Sequence, residues 1–373
     1  MRLSNNQHSL KRALIGSIAA IGTVSVVLVS ALIRSGTAAP AEPSSIARIE
    51  MSDLLGSYGY ALECSPVFVS EDSVGLLVRS ALPNIADPTI GIVNWQKRSV
   101  VANAAMQTVD YVRALHAVSG GRIIVEGRYK SFLYSSDLND RELLPLKSLV
   151  PPVPRSNMVG EQRSDSWRVY QMKLQVLTSV REGQGELQSV FENLIVFRHD
   201  NLIITLRLPD RPIGSFDVTP TTAHQRVVEI IGGKELYIAG TPNGQLVSFE
   251  GKVRLQVRPP PGWGFRHGQS ADGTRMLFDH YTRVIPGMQK VGEEIVSALT
   301  LGLGRANETD NTEAVTVLDT RSGAVCLDLE TPGRLFGNPG GWHADISPSG
   351  RFVAVSTPDA LSIYKLSDNC GER

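Results

Sequence analysis

One stretch near the carboxyl terminus limits what this 373-residue chain can fold into more than any other feature. It runs His343-Ala344-Asp345-Ile346-Ser347-Pro348-Ser349-Gly350-Arg351-Phe352-Val353-Ala354-Val355, a short apolar run, a turn and a second apolar run, and it is copied upstream. Laying Ser270-Ala271-Asp272-Gly273 on Ser347-Pro348-Ser349-Gly350 needs no gap and sets Phe265 against Trp342. Phe216-Asp217-Val218-Thr219-Pro220 repeats the Asp-aliphatic-hydroxyl-Pro part, and His116 to Arg122 repeats the rest with one residue fewer. Weaker copies stand at Val69 to Ser73 and at Ser164-Asp165-Ser166, before Trp167. A unit that recurs at this period buries its apolar face only against its neighbours. The hydroxyl positions 70, 119, 164, 219, 270 and 347 lie 49, 45, 55, 51 and 77 residues apart, spacing that suits one four-stranded sheet per repeat with an insertion in the last interval. Six starts predict a ring of about six such sheets. Seven is the alternative count, because the first three starts are degenerate.

The texture between the starts agrees. Runs such as Arg122 to Glu126, Leu194 to Arg198, Leu202 to Leu208, Val253 to Val257 and Val315 to Leu318 are rich in Val, Ile, Leu and Phe. Gly, Asn, Asp and Pro separate them, as hairpin turns require. Nothing alternates strands with long helices, so the chain reads as all-β. With 42% apolar and 20% charged residues it has enough material for a sizeable core.

These residues resemble the bacterial WD40-like, TolB-like and YVTN-like β-propellers, whose blades carry a strand, a Ser-Pro-Asp-Gly type turn and a second strand. Here that turn is Ser347-Pro348-Ser349-Gly350 and Ser270-Ala271-Asp272-Gly273, and Val315 to Val325 looks like the outer half of a WD-type blade. The Trp-Asp dipeptide and a regular Gly-His pair are missing. The resemblance implies four-stranded blades around a central channel. Because the chain stops soon after the strand Leu361 to Leu366, the last blade is expected to take its outer strand from residues 46 to 63. That closure removes an exposed sheet edge. The Pro-rich stretches Val150 to Pro154 and Arg258 to Gly262 are expected to link one blade's outer strand to the next blade's inner strand. Residues 286 to 312 interrupt the blade pattern. Val291, Ile295, Val296, Leu299 and Leu303 fall there at helical spacing, either as a surface excursion or as a docking flap.

The amino terminus carries an address. Arg2, Lys11 and Arg12 form a basic flank over residues 1–12, expected to stay in the cytoplasm. Residues 13–33 are 21 uncharged residues, long enough to span a bilayer as a transmembrane signal anchor. Cleavage at Ala39-Pro40-Ala41, leaving a secreted protein, is the alternative. Residues 34–45 read as a linker, and residues 46–373 as a propeller in the periplasm or outside the cell. Cys64, Cys326 and Cys370 all lie on that side, where one disulfide can form. The pairing is open.

The charge balance speaks against nucleic acid as a partner: 37 basic and 37 acidic residues leave no net excess for phosphate contacts. The seven histidines show no metal-ligand spacing, and there is neither a Gly-x-Ser-x-Gly elbow nor a phosphate loop in strand-to-helix context. No metal, cofactor or catalytic residue is expected. What recurs is polar chemistry just before each inner strand: His116, Asp217, Arg266 with His267, and His343 with Asp345. These residues are candidates to ring one channel mouth as a small-ligand site, or to cap the junctions between blades. The expected function is a non-enzymatic binding or scaffold module for a protein, a peptide or an envelope component. The alternative is a propeller hydrolase or lyase using the His and Asp residues at the channel mouth.

Overall fold

The structure is a computed structural model that describes residues 44–55, 60–62, 66–80, 89–106, 112–146, 148–173, 176–217, 228–239, 244–257, 263–283, 312–330, 343–357, 360–368 and 370. They form seven antiparallel sheets. The chain enters through β1 (Ala47–Glu50) and a single helical turn, α1 (Met51–Leu55). Blade 1 comprises β2 (Tyr60–Leu62), β3 (Val67–Phe68), β4 (Ser73–Ser80), β5 (Thr89–Asn94) and β6 (Ser99–Ala105), with β2 and β3 on one edge of β4. Blade 2 comprises β7 (Val112–Val118), β8 (Arg122–Gly127), β9 (Ser131–Tyr134) and β10 (Arg141–Leu144). Blade 3 comprises β11 (Leu149–Val150), β12 (Met158–Gln162), β13 (Ser166–Lys173) and β14 (Val176–Gln184). Blade 4 comprises β15 (Glu186–Phe191), β16 (Leu194–His199), β17 (Leu202–Arg207) and β18 (Arg211–Asp217). Blade 5 comprises β19 (Val228–Ile231), β20 (Glu235–Ile238), β21 (Gly244–Val247) and β22 (Val253–Val257). Blade 6 comprises β23 (Trp263–Gln269), β24 (Arg275–Arg283), β25 (Thr312–Asp319) and β26 (Val325–Glu330). Blade 7 comprises β27 (His343–Ile346), β28 (Phe352–Ser356) and β29 (Ala360–Lys365), and its outer strand is β1.

That last pairing closes the ring. β1 runs antiparallel to β29, with Ala47 opposite Ile363 and Glu50 opposite Ala360, so the outer strand of blade 7 comes from the start of the described chain, as expected. Burial gives an independent reading of closure. The buried apolar residues fall into seven clusters, each centred on the junction of two neighbouring blades, with Val153 of blade 3 joining the one between blades 4 and 5. The cluster between blades 7 and 1 joins Ala47, Ile49, Leu361 and Ile363 to Phe68, Val74, Leu76 and Trp95. Seven sheets in an open stack would share six interfaces, so seven interfaces mean a ring. Each sheet is covered on both faces, which is why its central strands read as near-continuous apolar runs.

The count of about six is therefore corrected to seven. The starts at 270 and 347 lie in the first turns of blades 6 and 7, where the sequence copy places them. In each, the leading serine's hydroxyl accepts the N–H five residues on, from Arg275 and Phe352 respectively. Gly273 and Gly350 sit at φ 72° and 70°, a region that favours glycine. Ser70 and Ser119 also mark first turns, of blades 1 and 2. Ser164 instead follows β12 and marks the second turn of blade 3, and Phe216-Asp217 ends β18, the outer strand of blade 4. The first turns of blades 4 and 5 are Glu192-Asn193 and Gly232-Gly233-Lys234, which carry no hydroxyl to count. One false start near 219 thus stood for two real blades.

Val150 to Pro154 is also corrected. It does not link two blades but lies inside blade 3, between β11 and β12. Pro151, Pro152 and Pro154 have no N–H to give a ladder, so β11 ends after two residues. The stretch 258–262 does fall between the outer strand of blade 5 and the inner strand of blade 6, and it lies outside the described residues, as does most of the insertion at 286–312. The proposed span at 13–33, its flank and Cys64 lie outside them too. Among the described residues no helix is long and apolar enough to cross a membrane.

The open cysteine pairing resolves to Cys326–Cys370, with Cα atoms 4.6 Å apart. This bond ties the tail beyond blade 7 to the outer strand of blade 6 across 44 residues of sequence. Arg275 donates to the carbonyls of Ser367 and Asp368 in the same tail. Closing a loop of this length restricts the unfolded chain, so reduction, or Cys370→Ala, is expected to cost about 2–4 kcal/mol. The measurement is a urea melt with and without dithiothreitol. An unchanged midpoint would mean that Arg275 and packing hold the tail alone.

Candidate functional site

The residues nearest the axis are held by what the first turns and inner strands present. Arg155 follows the proline run of blade 3 at φ 67°. Its N–H donates to the Ala117 carbonyl, and Ser119 N–H donates to the Ser156 carbonyl, so the segment pairs with the inner strand of blade 2 where β11 has ended. From there the guanidinium reaches the opposite side of the ring. Nη1 donates to the Gln269 carbonyl in blade 6 at 3.2 Å, and Nη2 to the Ile346 carbonyl in blade 7 at 2.9 Å. In a ring of seven, blades 6 and 7 are the two farthest from blade 3. Arg155 therefore crosses the axis.

Beside it lies Asp345 of β27, a carboxylate with 6% of its surface exposed. Its Oδ2 accepts the Phe68 N–H of blade 1 at 2.7 Å. Burial pushes this acid up to about 6, against the opposing pull of Arg155 and of the N–H groups of Phe68 and Ile346. Burial also holds the Arg155 guanidinium below its ordinary value, while the charges of Asp345 and Glu71 oppose that effect. A Cβ on Gly268 would stand 3.0 Å from Asp345 Oδ1, so β23 approaches the carboxylate as bare backbone.

Polar side chains also bridge the junctions of blades 7 and 1, 5 and 6, 4 and 5, and 3 and 4. Glu71 of blade 1 accepts the Ser347 hydroxyl at 3.1 Å and the Ser349 N–H at 3.1 Å, both from blade 7. Gln269 of blade 6 donates to the Ile230 carbonyl and accepts the Gly232 N–H of blade 5. Ser189 of blade 4 accepts the Ile230 N–H, and Gln162 of blade 3 accepts the Leu187 N–H of blade 4. The bonds from Gln269 and Ser189 satisfy backbone groups of blade 5 that burial would otherwise leave unpaired.

Against this frame the six sequence candidates separate. The backbones of His116, Arg266, His267, His343 and Asp345 lie on inner strands, in blades 2, 6 and 7. The side chains of Arg266, His267 and His343 lie outside the described residues. His116 Nε2 is 2.9 Å from Glu126 Oε2 on the neighbouring strand of its own blade. Asp217 is corrected: it ends the outer strand of blade 4 and is exposed, because its own stretch, Phe216 to Pro220, is not a blade start. The axial residues that sequence reasoning missed are Arg155, Glu71 and Gln269. Only the proline run before Arg155 hinted at an unusual backbone there. Among the described residues no group of three or more His, Cys, Asp or Glu is placed to hold a metal ion.

Comparison with known proteins finds no matching family model and no matching curated protein. Among solved structures, a chain of "Crystal Structure of Mitotic Checkpoint Complex" is similar over 90% of this chain and 98% of its own, at 12% identity and a TM-score of 0.51. "KlHsv2 with loop 6CD replaced by a Gly-Ser linker" matches over 84% and 94%, at 11% identity and a TM-score of 0.49. At 12% identity the likeness to the first of these concerns the fold alone.

Proposed function

We propose that this chain is a non-enzymatic binding module of the bacterial WD40-like, TolB-like and YVTN-like kind, displayed outside the cytoplasmic membrane and anchored by residues 13–33. Its partner is a protein, a peptide or an envelope component. The observation that carries the binding reading is Arg155. A guanidinium that crosses the axis and donates through both terminal nitrogens to carbonyls of the far blades, with only its Nε unpaired among the described residues, ties the centre of the ring together and leaves the faces and the clefts between blades for recognition. The Cys326–Cys370 disulfide supports the exported location, since such bonds persist in oxidising compartments. The hydrolase or lyase alternative needs His116, Asp217, His267, His343 and Asp345 to converge. Asp217 on an outer strand and Asp345 bonded to Phe68 N–H remove two of the five.

Two measurements test this reading. Alkylation of intact cells before and after reduction is expected to label Cys326 and Cys370 only after reduction; labelling beforehand would count against export. Crosslinking in whole cells, followed by capture through a tag on the full chain, is expected to return specific partners. A partner list unchanged on removal of residues 286 to 312 would dismiss the insertion as a docking element.

A further inference from the structure

The truncated inner strand of blade 3 leaves a cleft between blades 2 and 3. It measures about 1240 Å³ and is open to solvent, with Arg122, Glu142, Asn157 and Gln171 on its walls and Leu133 and Met172 as apolar floor. Two of its polar groups are unfinished. Arg122 donates through Nε to the Ser119 carbonyl at 3.1 Å and through Nη2 to the Ser119 hydroxyl at 3.4 Å, while its Nη1 is buried without a hydrogen-bond partner among the described residues. Asn157 Oδ1 is buried without one as well. Burial holds the Arg122 guanidinium below its ordinary value, and Glu142 opposes this through its charge at longer range. Buried polar atoms are nearly always paired, and an unpaired donor and an unpaired acceptor lining one cleft are costly unless something binds them.

The size and shape of the cleft decide between a small molecule and a chain segment. Its volume exceeds the roughly 300–1,000 Å³ of ordinary small-ligand pockets. A second cleft of about 550 Å³ shares Ser119, Asn157 and Gln171 with it and continues past Arg155 to Glu192 and Asn193 of blade 4. Together they make a trough over three blades. Asp140 and Glu142 flank Arg141 on its walls, so the two carboxylates disfavour a run of acidic residues, and Arg122 keeps one guanidinium nitrogen unpaired for a single carboxylate.

We propose that this trough binds an extended peptide segment bearing one acidic side chain, whose carboxylate accepts from Arg122 Nη1 while a peptide N–H donates to Asn157 Oδ1. The proposal rests on the binding-module reading above and names the surface and the chemistry of the partner.

The test uses the full chain and an array of random decapeptides, with the strongest binders remeasured by fluorescence polarisation. The expected result is an Asp or Glu at one position of the selected peptides. Exchanging it for Gln or Asn, or making Arg122→Gln in the protein, should each weaken binding about tenfold or more, as for loss of a charge-assisted hydrogen bond. The two changes together should weaken it no more than one alone. Arg122→Gln is checked for folding by circular dichroism. Asn157→Asp is the second variant: it should weaken the acidic peptide and leave its amide version unaffected. Selected peptides without an acidic position, or binding indifferent to both variants, would overturn the trough while leaving the binding-module reading intact. An array that returns no binder also overturns the trough; crosslinking in whole cells then decides the broader reading separately.

Discussion

Ile49→Asp is expected to destabilise the ring by about 4–5 kcal/mol, the sum of a lost apolar side chain and an unpaired carboxylate in a sealed interface. Ile49 is 3% exposed and sits opposite Leu361, inside the cluster where blade 7 meets blade 1. Its neighbour Arg48 points the other way and pairs with Glu50 at the surface. Arg48→Ala is therefore expected to change stability by less than about 0.5 kcal/mol, because exposed ion pairs are screened. The contrast is read from urea midpoints of the two variants. Equal, small effects would mean that β1 contributes little to closure. A large effect of Ile49→Asp should come with self-association, since releasing β1 bares the edge of β29.

The second large effect concerns Arg155 and Asp345 and depends on pH. In the folded state Asp345 titrates at about 6, against an ordinary 3.8. Between those values the folded protein holds a proton that the unfolded chain has lost, so this residue's contribution to stability falls as pH rises from about 4 to about 6 and is flat above. A shift of this size corresponds to about 3 kcal/mol over that window. Asp345→Asn should remove that decline while keeping an acceptor for Phe68 N–H. The test is the difference between the two stability profiles from pH 4 to 7, which cancels the other carboxylates; a flat difference would sink the assignment. Arg155→Met leaves the carboxylate buried without its cation, and it should cost about 3–5 kcal/mol at pH 7 and markedly less near pH 4.5. Asp345→Asn in the Arg155→Met background should restore most of the loss.

How much of this was legible in the sequence follows from where each piece of information resides. Ser270 to Gly273 and Ser347 to Gly350 could be aligned because the turn itself demands those residues: a hydroxyl to take an N–H, and a glycine at positive φ. Glu192-Asn193 and Gly232-Gly233 make equivalent turns through backbone conformation alone, with φ of 50° at Glu192 and 53° at Gly232. They carry no side-chain signature to count, hence six starts for seven blades. Asp345 was readable as an inner-strand residue, but its role was not, because Arg155 is remote in sequence and only the ring brings the two together. Asp217 matched a motif of local spacing, and local spacing cannot tell an inner strand from an outer one. The unpaired atoms of Arg122 and Asn157 had no sequence signal, since they depend on what the prolines of blade 3 prevent.

The pairing of β1 with β29 also sets an order in time. Among the described strands a ribosome makes residues 47–50 first and residues 360–365 last, so the outer strand of blade 7 has to wait, unpartnered, until its mate is made. Ring closure waits on the synthesis of β29, and the Cys326–Cys370 bond can form only after it. Chains that stop before β29 carry the strand but lack its mate, which leaves them sticky at that edge.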